Sequence, residues 1–239
     1  MMILSIWIYP FLQLLATLVG ASEQEQVVIS PFKLRPLDSD VYKVQYELEK
    51  AEIFSTVIDK FLPSFLLDAE WSSGEHAELG NTVKVDKVQK EPTITVHGDH
   101  SASSSAVRVS SNVTYTIIIT DPDAPSRDNP KWAEFCHFIA TGVIISSSES
   151  SAVVRLSSLK DIVPYKPPGP PPKTGKHRYV FLLLAPANGT TDLLDLSKPS
   201  DRKHWGTGSR ARHGVRDWAE ENGLEPVAAN FIYAQNEEQ

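Results

Sequence analysis

Apolar and polar residues follow two different rhythms along this chain. Between positions 38 and 61, Val41, Val44, Leu48, Ala51, Phe54, Ile58 and Phe61 recur at three- and four-residue steps. That period predicts one amphipathic helix, with Asp38 or Ser39 as its N-cap and Pro63 as its stop. Downstream the rhythm shortens. Runs at 65–71, 82–85, 92–96 and 113–120 are rich in apolar and β-branched residues and are separated by Gly, Asn and Pro, so they read as strands. Further strands are expected at 135–140, closing at Thr141-Gly142, and at 153–156, 179–185 and 226–233. A short helix over 214–222, with Val215, Trp218 and Ala219 on one face, should stop at Gly223. The serine-rich stretches 101–111 and 146–151 read as exposed loops, and 236–239 as a frayed acidic tail. The result is a predominantly β core with a few peripheral helices. No long βαβ alternation is visible, which disfavours a doubly wound nucleotide fold.

The first 21 residues change the picture at the N-terminus. They carry no charged side chain and are mostly apolar, with Val19-Gly20-Ala21 offering small residues before Ser22-Glu23-Gln24. This predicts a secretory signal over 1–21 followed by a single domain over 22–239. Pro10 and Gln13 interrupt the run and weaken it as a membrane span. Two sequons, at Asn112 and Asn188, fit entry into the secretory route and are the expected glycosylation positions.

Composition narrows the partners. With 239 residues and 41% hydrophobic content the chain can bury one sizeable core. A formal net charge of −7 argues against nucleic acid and against an electrostatic anchor on anionic lipid. The one cysteine, Cys136, excludes an internal disulfide and sits in an apolar run, as a small buried thiol does.

Candidate chemistry gathers in two segments. In the first, TYTIIITDPDAPSRDNPKWAEFCHFIATG (114–142), an apolar run ends at Asp121, two prolines force a loop, and a second apolar run holds His137. In the second, GPPPKTGKHRY (169–179), a proline-rich approach of polyproline II character leads into His177 and Tyr179. These segments read as the two halves of one pocket. A carboxylate such as Asp121 beside one or two histidines would favour their protonated form and fix their orientation. Gly169 would allow close backbone approach, and Tyr179 supplies a phenolic donor. Together they suit a phosphate, sulfate or carboxylate. The competing reading is that His137 and His177 are satisfied core histidines, and spacing alone does not choose between them. No P-loop, Gly-x-Gly-x-x-Gly, His-Glu-x-x-His or Gly-x-Ser-x-Gly motif is present. Neither a metal nor an organic cofactor is expected.

The runs TDPDAPSRDNP, CHF and GPPPKTGKHRY, with the terminal LEPVAANFIYAQ, resemble the signature of the phosphatidylethanolamine-binding proteins, particularly fungal members. The resemblance spans roughly residues 60–235. It implies a large antiparallel sheet packed on a smaller one, with C-terminal helices beside a ligand cavity. It also implies an anion pocket formed by Asp121, Pro125, Phe135, His137, Gly169, Pro171, His177 and Tyr179. Three positions depart from the family pattern. Cys136 replaces a second histidine, Phe135 replaces a frequent tryptophan, and Tyr233 stands one residue out of step with a cavity-closing tyrosine. Two functions follow from the resemblance. One is a binding protein for a phospholipid head group or other small anion, or for a protease partner. The other is an enzyme of fungal secondary metabolism that couples maleic-anhydride polyketide monomers to maleidride-type dimers, in company with other pathway enzymes. There His137 or His177 would be the base and Asp121 its orienter.

Overall fold

The computed structural model describes residues 40–98, 113–146, 151–205 and 213–239. The expected signal, the N-cap at Asp38 or Ser39, the 101–111 loop and the Asn112 sequon lie outside these residues.

The expected helix over 38–61 is two helices, α1 (Asp40–Lys50) and α2 (Ile53–Thr56). Glu52 between them takes a left-handed φ of 58°. The cause is remote in sequence. The Arg178 guanidinium donates to the Ala51 carbonyl at 2.7 Å and to Thr56 Oγ1 at 3.1 Å. A guanidinium thus takes the carbonyl of Ala51, the residue that follows α1, where the helix no longer supplies a backbone donor.

The strands are β1 (Phe65–Glu70), β2 (Asn81–Lys84), β3 (Thr93–Gly98), β4 (Thr114–Asp121), β5 (Phe135–Ile144), β6 (Ser151–Arg155), β7 (Lys160–Val163), β8 (His177–Pro186) and β9 (Leu224–Gln235). They form a three-stranded sheet, β1-β3-β6, and a six-stranded sheet, β2-β9-β8-β4-β5-β7. All pairings are antiparallel except β2 with β9, which is parallel. A third helix, α3 (Gly214–Glu221), precedes β9. The sequence pattern did not signal β7, a short outer strand whose buried residue is Val163 alone.

The long apolar runs of β4 and β8 follow from burial on both faces. Ile117, Ile119, Phe181 and Leu183 meet the small sheet's Phe65, Leu67, Ile94 and Val96 in one core. Their neighbours Ile118, Val180, Leu182 and Leu184 meet α1, α2 and α3 in a second. Strand β5 does not close at Gly142. That residue takes φ 110°, and the register against β4 shifts there, so the strand bulges and continues.

Candidate functional site

β4 lies between β5 and β8 and runs antiparallel to both. Its C-terminal end therefore meets the first residues of its two neighbours. This is why Asp121, the last residue of β4, lies beside Phe135 of β5, and why His177 and Tyr179 open β8 at the same edge. A second register shift in β5 makes the site. Phe138 faces Ile119 and Cys136 faces Thr120, so His137 is the extra residue of a bulge. Its carbonyl, lost to the ladder, accepts from the Lys166 amide at 2.9 Å and from Arg202 Nη1 at 3.1 Å.

The rings then line up. His137 packs against Phe135 at 4.9 Å and edge-on to Tyr179 at 5.1 Å, and Tyr179 lies nearly parallel to His177 at 6.5 Å. The Gly169 amide donates to the Tyr179 hydroxyl oxygen at 3.3 Å, which leaves the phenol proton free to donate. The structure thus brings together Asp121, Phe135, His137, Gly169, His177 and Tyr179. Pro171 joins indirectly, because its carbonyl accepts from Thr174 Oγ1 at 2.7 Å and that hydroxyl also meets His177 Nε2 at 3.0 Å. Pro125 is half-buried in the loop after β4; among the described residues no hydrogen bond or ring contact links it to this group. Tyr233 packs on Phe231 at 5.8 Å, with Lys176 Nζ over its ring.

The two histidines have different surroundings. His177 Nδ1 is 2.8 Å from Asp121 Oδ2, and both groups are almost fully buried. With Thr174 at Nε2, both nitrogens of His177 are engaged. His137 does not touch a carboxylate. Its Nδ1 donates to the Lys166 carbonyl at 2.7 Å, and no other described residue bonds the ring. Burial, reinforced by the charges of Arg202, Lys166 and His177, lowers its pKa to about 4. Of the one or two histidines that Asp121 was expected to favour in the protonated form, His137 is not one: it is neutral at pH 7 and presents Nε2 as an acceptor. Asp121 has its carboxyl raised, because burial outweighs the help of His177, and Tyr179 is raised well above its ordinary value, first by burial and then by the Asp121 charge. Burial pushes the Cys136 thiol up to about 12, which makes it inert at neutral pH.

Two buried groups behind the site escaped sequence reasoning. Asp123 clamps Arg178 through Oδ1–Nη2 at 2.6 Å and Oδ2–Nε at 2.9 Å. The signal was present, since Asp-x-Asp in one motif faces His-Arg in the other. Glu134 accepts from Thr120 Oγ1 at 3.0 Å and from the Val215 amide at the start of α3 at 3.3 Å. Burial raises its pKa to about 8. Nothing local marks it, because its partners are distant in sequence. Of the sequon asparagines, Asn188 lies in an exposed turn and accepts from the Thr190 amide at 3.0 Å.

Comparison with known proteins agrees with this architecture. The model of the phosphatidylethanolamine-binding protein family matches residues 73–232. The carboxypeptidase Y inhibitor of Saccharomyces cerevisiae is 34% identical over 190 residues, covering 73% of this chain and 86% of its own. Among solved structures, a carboxypeptidase Y inhibitor in complex with its cognate proteinase superposes with a TM-score of 0.73 at 30% identity, over 84% of this chain and 98% of that one. A phosphatidylethanolamine-binding protein from Plasmodium vivax has a TM-score of 0.58 at 17% identity, over 80% and 97% of the respective chains, and shares the fold. With the two-sheet architecture and both signature motifs at one sheet edge, these matches identify the chain as a member of the phosphatidylethanolamine-binding protein family.

Proposed function

We propose that this protein is a binding protein that holds a small anionic group beside His137, Tyr179 and Gly169 and masks a carboxypeptidase partner. The observation that carries the reading is the engagement of both His177 nitrogens. Acid–base catalysis by a carboxylate-oriented histidine needs a free nitrogen on the far side of the ring from the carboxylate. On His177 that nitrogen is held by Thr174 at 3.0 Å, and the histidine with an unengaged nitrogen, His137, has no carboxylate to orient it. Such an arrangement favours holding a ligand over turning one over. The carboxypeptidase comes from the similarity to the yeast inhibitor, 86% of which this chain covers, and to the carboxypeptidase Y inhibitor of the solved complex, 98% of which it covers. Secretory entry belongs to the same proposal and rests on residues 1–21 and the exposed Asn188 sequon.

The test has two arms on the chain beginning at Ser22. Phosphoethanolamine should raise Tm in a concentration-dependent way, and His137→Ala should abolish that shift while the variant still unfolds cooperatively. Added to carboxypeptidase Y, the protein should slow hydrolysis of a peptide substrate in proportion to its concentration. Unchanged hydrolysis at a large molar excess would remove the inhibitor reading. Consumption of a maleic-anhydride-derived dicarboxylate, lost in His137→Ala, would make the protein an enzyme instead.

A further inference from the structure

A second, open depression lies beside the site at the start of β5. It has a volume of about 420 Å³ and is lined by Phe135, Tyr165, Lys166, Asp201, Arg202 and Lys203. That volume is ordinary for a ligand cleft. Its walls are fixed. The Tyr165 hydroxyl donates to the Lys90 carbonyl at 3.2 Å, and its ring packs edge-on to Phe138 at 6.1 Å. Arg202 is strapped to the start of β5, with Nη1 on the Cys136 and His137 carbonyls at 3.0 and 3.1 Å and Nη2 on the Pro164 carbonyl at 2.7 Å. Next to the cleft, Lys203 Nζ and Lys131 Nζ lie over the Trp132 ring at 4.7 and 5.7 Å. Among the described residues none of Lys131, Lys166, Arg202 and Lys203 is paired with a carboxylate. In a chain of net charge −7, a lining of three cations (Lys166, Arg202 and Lys203) against one carboxylate (Asp201), with Lys131 close by, is a local reversal of sign.

We infer that this cleft, which shares its Phe135 wall with the head-group pocket, receives an acidic peptide segment of a protein partner; the inference does not rest on the reading given for that pocket. Fixed aromatic walls accept an apolar side chain at little ordering cost, and the cations attract flanking carboxylates. Asp201 in the same wall accepts from the Lys203 amide through Oδ1 at 3.0 Å and offers Oδ2 as an acceptor for a peptide N–H. A lipid surface fits worse. Trp132, the natural interfacial anchor, carries ammonium groups over its ring.

The experiment is fluorescence anisotropy with a short labelled peptide of alternating glutamate and phenylalanine, against the same peptide with glutamine for glutamate. The glutamate peptide should bind and weaken as NaCl rises. Lys203→Glu should weaken it about tenfold and Lys166→Gln about threefold, since both side chains are solvent-exposed charges at the cleft. Lys84→Glu makes the same change in net charge on β2, the opposite outer strand of the sheet, and should leave binding unchanged. Equal weakening by Lys84→Glu and Lys203→Glu would reduce the effect to bulk charge and overturn the site. So would indifference to glutamate-for-glutamine exchange. Vesicles containing phosphatidylserine, bound by the native protein and released by Lys203→Glu while the peptide fails to bind, would replace the peptide with a membrane.

Discussion

Asp121 and Asp123 each meet a basic partner from the start of β8, His177 at 2.8 Å and Arg178 at 2.6 Å, and both pairs are buried. Burial acts on both carboxyls in the same direction, upward. For Asp123 the three hydrogen bonds from Arg178, two from the guanidinium and one from the backbone amide, together with its fixed charge overturn it, and the carboxyl ends below its ordinary value. For Asp121 the imidazole is too weak a counterweight, and the carboxyl ends above. One motif spacing therefore builds two devices. Arg178 carries a permanent charge, reaches across to Ala51 and Thr56, and fixes the helical layer to the sheet. His177 lies at the ligand edge, where its partners hold a ring in place behind Tyr179. An arginine suits the first role because its fork bonds in several directions at once.

The sharpest way to break this contrast is to remove the guanidinium. Arg178→Met leaves the Asp123 carboxylate buried without its partner, a situation that costs about 3–5 kcal/mol. Urea denaturation should show the midpoint falling accordingly, and the Ala51 carbonyl would lose its donor as well. Changing Asp123→Leu together with Arg178→Met should recover part of the loss, since no uncompensated charge remains. A single variant that loses less than about 1 kcal/mol would mean that the clamp is ornamental to the fold.

Next in size is a pH effect at the pocket. His137 has its pKa lowered to about 4, and Arg202, Lys166 and His177 are the charges that act on it. At neutral pH its Nε2 is an acceptor, so an anion gains a charged donor there only by bringing a proton with it. The sign follows. Anion affinity should rise as pH falls from 7 toward 5, by at most about tenfold per unit, or roughly 1.4 kcal/mol. Sulfate is the proper probe because its own charge is constant over this range. His137→Asn should flatten the profile. Stability runs the other way, because the unfolded chain takes up the proton more readily. The contribution of neutral His137 to folding is present above its unfolded value near 6.5 and is lost as pH falls through 4. A sulfate affinity that stayed level from pH 7 to 5 in the native protein would place the anion away from His137.

How much of this was readable in advance depends on the range of the causes. Strands β4 and β8 were legible because burial on both faces leaves an unbroken apolar run, and Asp121, His177 and Tyr179 were legible because they stand at the ends of such runs. The division of α1 from α2 was not, since the guanidinium that takes the Ala51 carbonyl comes from the far side of the chain. Nor was the bulge at His137. An extra residue in a ladder shows only once the register of both strands is known, and the periodicity of 135–140 gives no hint of it. The environment of the two histidines was open for the same reason. A threonine and a backbone carbonyl, neither marked by any motif, give His177 and His137 their different partners.

The smallest expected effect separates pocket from scaffold most cleanly. A Cβ built on Gly169 meets nothing within 4 Å, and its φ lies outside the region that excludes side chains. Gly169→Ala should therefore leave stability within about 0.5 kcal/mol of the native protein. Its amide should keep the hydrogen bond to the Tyr179 hydroxyl. If an anion approaches the backbone at this point, the added methyl group obstructs that approach, and sulfate affinity should fall several-fold with Tm unchanged. The Arg178 and Gly169 variants would then be mirror images, one losing the fold and the other only the ligand. Sulfate binding that is indifferent to Gly169→Ala would move the anion toward the Phe135 side of His137 and take Gly169 out of the site.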